Sequence, residues 1–263
     1  MPDGSGPLSM KTLLVVINHR GWKYIESGRR VAQSPVVTIK ALLFDLDGTL
    51  LDHDSAAATA ITRSLPGTDP SRVTGRWAEL EHEAMDRYLS GELTFNQQRR
   101  MRITTLATEL GLGTWDTAHA DTWFTEYLKH YQKAAWSAYP DVRPALDRLP
   151  LPKGVLTNGD NRQQQAKLRH LGLTKDFPFL FTSSDAGAAK PAPEIFHLAC
   201  TRLNLAPVDV AYVGDRLHAQ AATNAGLYGI WLDRTREPTT ITIPRITTLN
   251  ELPALLAARG LPC

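Results

Sequence analysis

From Val36 to Phe44 the chain reads Val-Val-Thr-Ile-Lys-Ala-Leu-Leu-Phe, a β-branched and apolar run suited to a strand buried on both faces. It ends in Asp45-Leu46-Asp47-Gly48-Thr49. Three later segments repeat the pattern of a short apolar stretch closed by a small or acidic residue: Gly154–Thr157, Phe179–Thr182, and Val210–Val213 followed by Gly214-Asp215. Helical spacing fills the intervals. Asn161 to Leu171 runs up to Gly172, a good helix-ending residue, and Ile195, Phe196, Ala199, Cys200 and Leu203 mark one face of a second helix. Strand and helix alternate, which predicts an open parallel sheet of α/β class. Tyr228–Leu232 adds a strand, and Asn250–Ala258 a last helix capped by Asn250.

Between about Ser55 and Ser137 the alternation stops, and no segment there has the character of a strand. Thr94-Phe95-Asn96-Gln97 is a capping box, and Phe95, Ile103, Leu106 and Leu110 keep helical spacing behind it. Ala120, Trp123, Phe124, Tyr127, Leu128 and Tyr131 form another apolar stripe, of the kind usually spent on a core. We read residues 55–137 as a helical bundle inserted between residues 36–54 and 138–263 of the sheet domain. Residues 1–35 are different again: Met1–Pro7 is rich in Gly and Pro, and Gly21–Ser34 is polar. A poorly ordered extension is expected there, with an extra edge strand at Leu13–Ile17, or a start upstream of the natural one, as competing readings.

Composition narrows the function classes. The 263 residues carry 29 Lys+Arg against 27 Asp+Glu, with the two signs mixed along the chain, which argues against a nucleic-acid binder. Two cysteines, Cys200 and Cys263, exclude a disulfide framework and a zinc-ligand spacing. The apolar run Leu13–Ile17 is too short for a signal-peptide core or a membrane span, so a cytoplasmic protein is expected, with no membrane partner.

The polar residues fall where an open parallel sheet places its ligand, at the carboxyl ends of the strands: Asp45 and Asp47, Thr157 and Asn158, Asp215. Two carboxylates at i and i+2, joined by a third from a neighbouring strand, make a hard oxygen cage suited to Mg²⁺. Such a cage calls for a cation, since each like-charge pair at 4 Å costs about 4 kcal/mol at an effective dielectric of 20. Lys190, ahead of Pro191, is a second source of positive charge. Taken singly, these residues have plainer readings: Asp47-Gly48 and Thr157-Asn158-Gly159 as turns, Asp215 as a helix cap, Cys200 as core. The eight histidines show no ligand spacing, although His218 lies three residues after Asp215.

Asp45-Leu46-Asp47-Gly48-Thr49-Leu50, Thr157-Asn158-Gly159, Lys190-Pro191 and Gly214-Asp215 together resemble the four ordered motifs of the haloacid dehalogenase (HAD) superfamily, over about Ile39 to Leu232. The resemblance implies a Rossmann-like core with an α-helical cap. It implies that Asp45 is the nucleophile of an aspartyl-phosphate pathway, and that Asp47 protonates the leaving oxygen and later activates water. Gly48, Thr157, Asn158 and Lys190 would bind the phosphoryl group, with Asp45, Asp47 (through its carbonyl) and Asp215 holding Mg²⁺. Asp47 favours phosphate chemistry, because members that break carbon–halogen bonds without a metal typically lack an acid there. The implied reaction is hydrolysis of a small phosphorylated metabolite by a monomer or homodimer, with weaker similarity to nucleotidase and N-acylneuraminate 9-phosphatase types.

The pattern departs from the superfamily at one place. Ala219 and Gln220 stand where a second acid commonly follows Asp215, which puts metal affinity in doubt. A phosphomutase, a dehalogenase or a non-catalytic binding protein on the same fold are the competing expectations. Arg99, Arg100 and Arg102 are expected on a solvated helix face, unless one of them turns toward substrate.

Overall fold

A computed structural model describes residues 38–134, 136–236 and 242–258, together with the backbone of 14–18 and 21–25. Residues 1–37 and 38–263 are two separate compact units. In the first, β1 (Leu14–Asn18) pairs antiparallel with β2 (Gly21–Ile25) in a two-stranded sheet of its own. The strand expected at Leu13–Ile17 thus forms one residue later and in a hairpin. The rest of the expected poorly ordered extension lies outside the described residues.

The second unit is built on a six-stranded, wholly parallel sheet in the order β5-β4-β3-β6-β7-β8. Its strands are β3 (Ala41–Phe44), β4 (Lys153–Thr157), β5 (Phe179–Thr182), β6 (Val210–Gly214), β7 (Tyr228–Leu232) and β8 (Arg245–Ile246). The first of these is shorter than the apolar run that announces it: Thr38–Lys40 lies outside the ladder. β3 is central and carries apolar side chains on both faces, as the sequence requires. Leu42 and Phe44 join one buried layer, and Leu43 joins the other with Ile195, Phe196 and Ala199. Each such side chain contributes about 1.5–3 kcal/mol by leaving water.

Four helices follow β3 without a strand between them: α1 (His53–Ser64), α2 (Pro70–Leu89), α3 (Phe95–Glu109) and α4 (Thr117–Ala134). Their starts are marked locally. The Asp52 and Asp69 side chains cap α1 and α2, and Thr94 with Gln97 forms the full capping box of α3. The apolar stripe of α4 meets Trp77 of α2, whose ring lies 5.0 Å from that of Tyr127 and whose indole N–H donates to the Tyr127 hydroxyl at 3.0 Å.

After α5 (Val142–Leu146), the chain alternates through α6 (Asn161–His170), α7 (Ser183–Ala186), α8 (Pro193–Leu203), α9 (Arg216–Asn224) and α10 (Leu252–Ala257). The end of the chain corrects one expectation. Asn250 is not the last helix's cap: Thr248 and Glu251 form a capping box on a 3₁₀ turn at Leu249–Glu251, and α10 continues from it. Connections from β3 run to β4 on one side and, later, to β6 on the other, so the sheet opens a crevice at the carboxyl end of β3.

Candidate active site

Asp45 is the first residue beyond β3, flanked by the ends of β4 and β6. Its carboxylate is buried, with Oδ1 accepting from the Leu46 amide at 2.8 Å and lying 2.8 Å from Lys190 Nζ. Burial alone would raise its pKa. The Lys190 ammonium and the nearby His218 overcome that and hold it below the ordinary carboxylate value. Lys190 is fully buried, and its second partner is the Tyr212 hydroxyl at 2.8 Å. Asn158 fixes the Lys190 backbone from both sides, donating to its carbonyl at 2.8 Å and accepting from its amide at 2.7 Å. The Asn158 side chain therefore positions Lys190.

Asp47 points elsewhere. Both of its carboxylate oxygens are held by Lys167 Nζ, at 2.7 and 2.8 Å, and Gln164 Nε2 donates to one of them at 3.3 Å. The same Gln164 amide donates to Thr157 Oγ1 at 3.1 Å, tying the two motifs together. Gln164 and Lys167 were not singled out in the sequence. Their signal is that they occupy, with Leu168, the buried face of α6, where apolar residues are the norm. Between the two aspartates and α1, Gly48 takes φ +77°, the left-handed region open to glycine, and its amide donates to Leu51 O at 2.9 Å. Arg234, paired with Asp141, clamps this loop by donating to Thr49 O at 2.7 Å.

Asp215 caps α9, its Oδ1 accepting from the His218 amide at 2.9 Å. Oδ2 lies 2.5 Å from His218 Nδ1, which is also 3.7 Å from Asp45 Oδ2. Partial desolvation pushes the Asp215 pKa up, but the His218 hydrogen bond and charge, with Lys190 behind, bring it down to about 2. Burial and Lys190 work against a charged His218, while its two carboxylate neighbours raise its pKa overall. One ligand atom from each of Asp45, Asp215 and His218 falls within 4.8 Å of the others. Two convergent carboxylates fit a hard divalent cation such as Mg²⁺, and the imidazole lies where positive charge is called for. Gln220 takes no part, since its amide donates along the helix to Asn224 at 3.1 Å.

The helices close over this crevice with a charged chain of their own. His53 Nδ1 is 4.0 Å from Asp47 and 2.8 Å from the Tyr131 hydroxyl, and its Nε2 is 3.1 Å from Glu81. Glu81 in turn pairs with the buried Arg102 at 3.0 Å. Burial opposes a charged His53, but Glu81 outweighs it and raises the pKa. Of the three arginines in α3, Arg100 pairs outward with Asp121 at 2.7 Å, Arg102 is enclosed, and Arg99 faces a cavity.

A Rossmann-like sheet gathers carboxylates at the ends of β3 and β6, and residues 39–226 match the haloacid dehalogenase-like hydrolase family. The chain belongs to this family and is a hydrolase. It is 26% identical over 243 residues to human N-acylneuraminate-9-phosphatase, covering 83% of this chain and 94% of that one. It is 31% identical over 211 residues to the glyceraldehyde 3-phosphate phosphatase of Methanopyrus kandleri, covering 74% and 84%. The crystal structure of L-2-haloacid dehalogenase from Xanthobacter autotrophicus superposes with a TM-score of 0.68 at 26% identity, covering 86% and 100%. No helix among the described residues is long and apolar enough to cross a membrane.

Proposed function

We propose that this hydrolase is a Mg²⁺-dependent phosphatase that cleaves a small phosphate monoester through an aspartyl-phosphate on Asp45, the four helices serving as its cap. The observation that carries the reading is the second carboxylate: Asp47, two residues beyond Asp45, is held by Lys167 at the edge of a cavity under the helices. A displacement at carbon needs no acid at that place, whereas an alkoxide leaving group does. Two phosphatase relatives support the same choice.

Asp45, kept ionised by Lys190, attacks phosphorus. The new Oδ–P bond forms as the ester O–P bond breaks, and the departing oxygen takes the proton of Asp47. Asp47, again a carboxylate, then takes a proton from water, which attacks phosphorus and releases Asp45 and inorganic phosphate. Thr157 and Lys190 hold phosphoryl oxygens, and the overlying helices exclude bulk water. Mg²⁺, held by Asp45, Asp215 and the Asp47 carbonyl, would neutralise charge on the transferring group.

The test is phosphate release from para-nitrophenyl phosphate with Mg²⁺, with chelator, and in Asp45→Asn. Wild-type turnover should vanish with chelator and fall at least about a thousandfold in the variant, roughly 4 kcal/mol. Near-normal activity in Asp45→Asn, or halide release from 2-chloropropionate without phosphatase activity, overturns the assignment.

A further inference from the structure

Under the helices lies a cavity of about 720 Å³, walled by Met85, Tyr88, Phe95, Leu128 and Trp136 and floored by Asn158 at the end of β4. A narrower recess of about 100 Å³ shares Phe95, Arg99 and Asn158 with it and ends at Asp47 and Lys167. The two spaces adjoin at these shared residues, the recess reaching the second acid, Asp47, and the larger space presenting an apolar, aromatic wall. Arg99 stands at their junction. Its guanidinium carbon is 4.3 Å from the centroid of the Phe95 ring and 5.2 Å from that of Phe124.

Arg99 makes no ion pair among the described residues, while its helix neighbours Arg100 and Arg102 pair with Asp121 and Glu81. Asp160 acts on it only at a distance, and burial with Arg102 nearby disfavours its charge. Behind it, Arg102 is 4% exposed, yet its Nε and Nη2 have no hydrogen-bond partner among the described residues. A buried donor left unmade costs about 1–3 kcal/mol, so a cluster of unmatched N–H groups beside an unpaired guanidinium is a place for an acceptor with negative charge. The exposed Arg162 adds a further cation to the wall, and Asp160 is the one carboxylate that lines the larger chamber among the described residues.

We infer that this cavity receives the leaving group of the substrate, and that the leaving group has a flat or apolar body and a second anionic group bound by Arg99. The aromatic walls take the body, and Arg99, with the Arg102 donors behind it, takes the anion, whether a carboxylate or another phosphate. The inference rests on the phosphatase reading for the identity of the reaction. It does not rest on it for the binding.

The full chain with Mg²⁺ is assayed on phenyl phosphate, 4-carboxyphenyl phosphate and 1,4-phenylene bisphosphate. Wild type should favour at least one anionic ester over phenyl phosphate by about tenfold or more in kcat/KM, and the favoured ester identifies the anion. That ratio should fall toward one in Arg99→Ala and recover in part in Arg99→Lys. Arg100→Ala, altered on the outward face, should keep the wild-type ratio. A wild-type ratio of one, or an unchanged ratio in Arg99→Ala, overturns the inference. Calorimetric titration with 4-hydroxybenzoate and with phenyl phosphate separates the two readings. If no ester is hydrolysed, the phosphatase reading fails. Binding of either anion weakened at least about tenfold by Arg99→Ala still supports the site, and no binding, or equal binding by wild type and variant, overturns it.

Discussion

Replacing Lys190 by methionine tests how the site keeps a buried carboxylate charged. The ammonium lies 2.8 Å from Asp45, which corresponds to about 6 kcal/mol of attraction at an effective dielectric of 20. Much of that offsets the cost of removing two charges from water, so the measurable quantity is what breaking the pair leaves behind, about 3–5 kcal/mol for an uncompensated buried charge. Lys190→Met should therefore lose about 3 kcal/mol or more of unfolding free energy at pH 7, read from urea transitions in the presence of chelator. Most of the loss should disappear when Asp45→Asn is added, giving a coupling of about 2 kcal/mol or more. The sign with pH follows from the depressed pKa of Asp45. Its stabilising contribution is present above the unfolded value of 3.8 and is lost as pH falls through the folded one. The deficit of Lys190→Met should accordingly be largest at neutral pH and shrink toward pH 4 as the unpaired carboxyl takes up a proton. A loss below about 1 kcal/mol at pH 7, or the same loss with Asn at position 45, would refute the reasoning.

Three further outcomes follow. The stability that His53 confers, taken as the difference between wild type and His53→Gln, should be full below pH 6.5 and decline as pH rises through its raised folded pKa; a difference that grows with pH contradicts the Glu81 pairing. Lys167→Met should remove the ammonium that holds both Asp47 oxygens, leaving the longer Gln164 hydrogen bond, and lower kcat at least about tenfold on an alkyl phosphate, with a smaller effect on para-nitrophenyl phosphate, whose leaving group needs little protonation; equal losses on both would point to a structural role alone. In Gly229→Ala the new methyl group would stand 2.0 Å from Ala219 O and 2.3 Å from Thr223 Oγ1, so α9 must move. That change should cost about 1–3 kcal/mol and weaken Mg²⁺ binding measured by calorimetry, since α9 carries Asp215 and His218.

The alternation of strand and helix was legible along the chain, because both periodicities and most end signals are local. Phe179–Thr182, Tyr228–Leu232 and the capping box at Thr94 fall where the pattern puts them. So were the acids at strand ends, since Asp45 and Asp215 each directly follow a buried run. The hairpin pairing, the two-residue strand Arg245–Ile246 and the Thr248 cap were not legible, because pairing partners and competing caps are chosen by contacts across the chain.

The electrostatics came from packing between distant segments. Lys167 is 120 residues from Asp47 in sequence, and Lys190, although its motif marks it as a cation for the site, meets Asp45 only once the sheet brings strand ends together. His218 became a partner of both Asp45 and Asp215 through the first turn of α9, while Gln220, two residues on, turned toward Asn224. The three arginines of α3 read alike in sequence, and packing of α3 against α2 and α4 sent one to solvent, one into the core and one into the cavity. Local sequence sets which residues lie on one helix face. What that face meets depends on elements tens of residues away, and charge interactions, which fall off with distance and depend on burial, are settled only there.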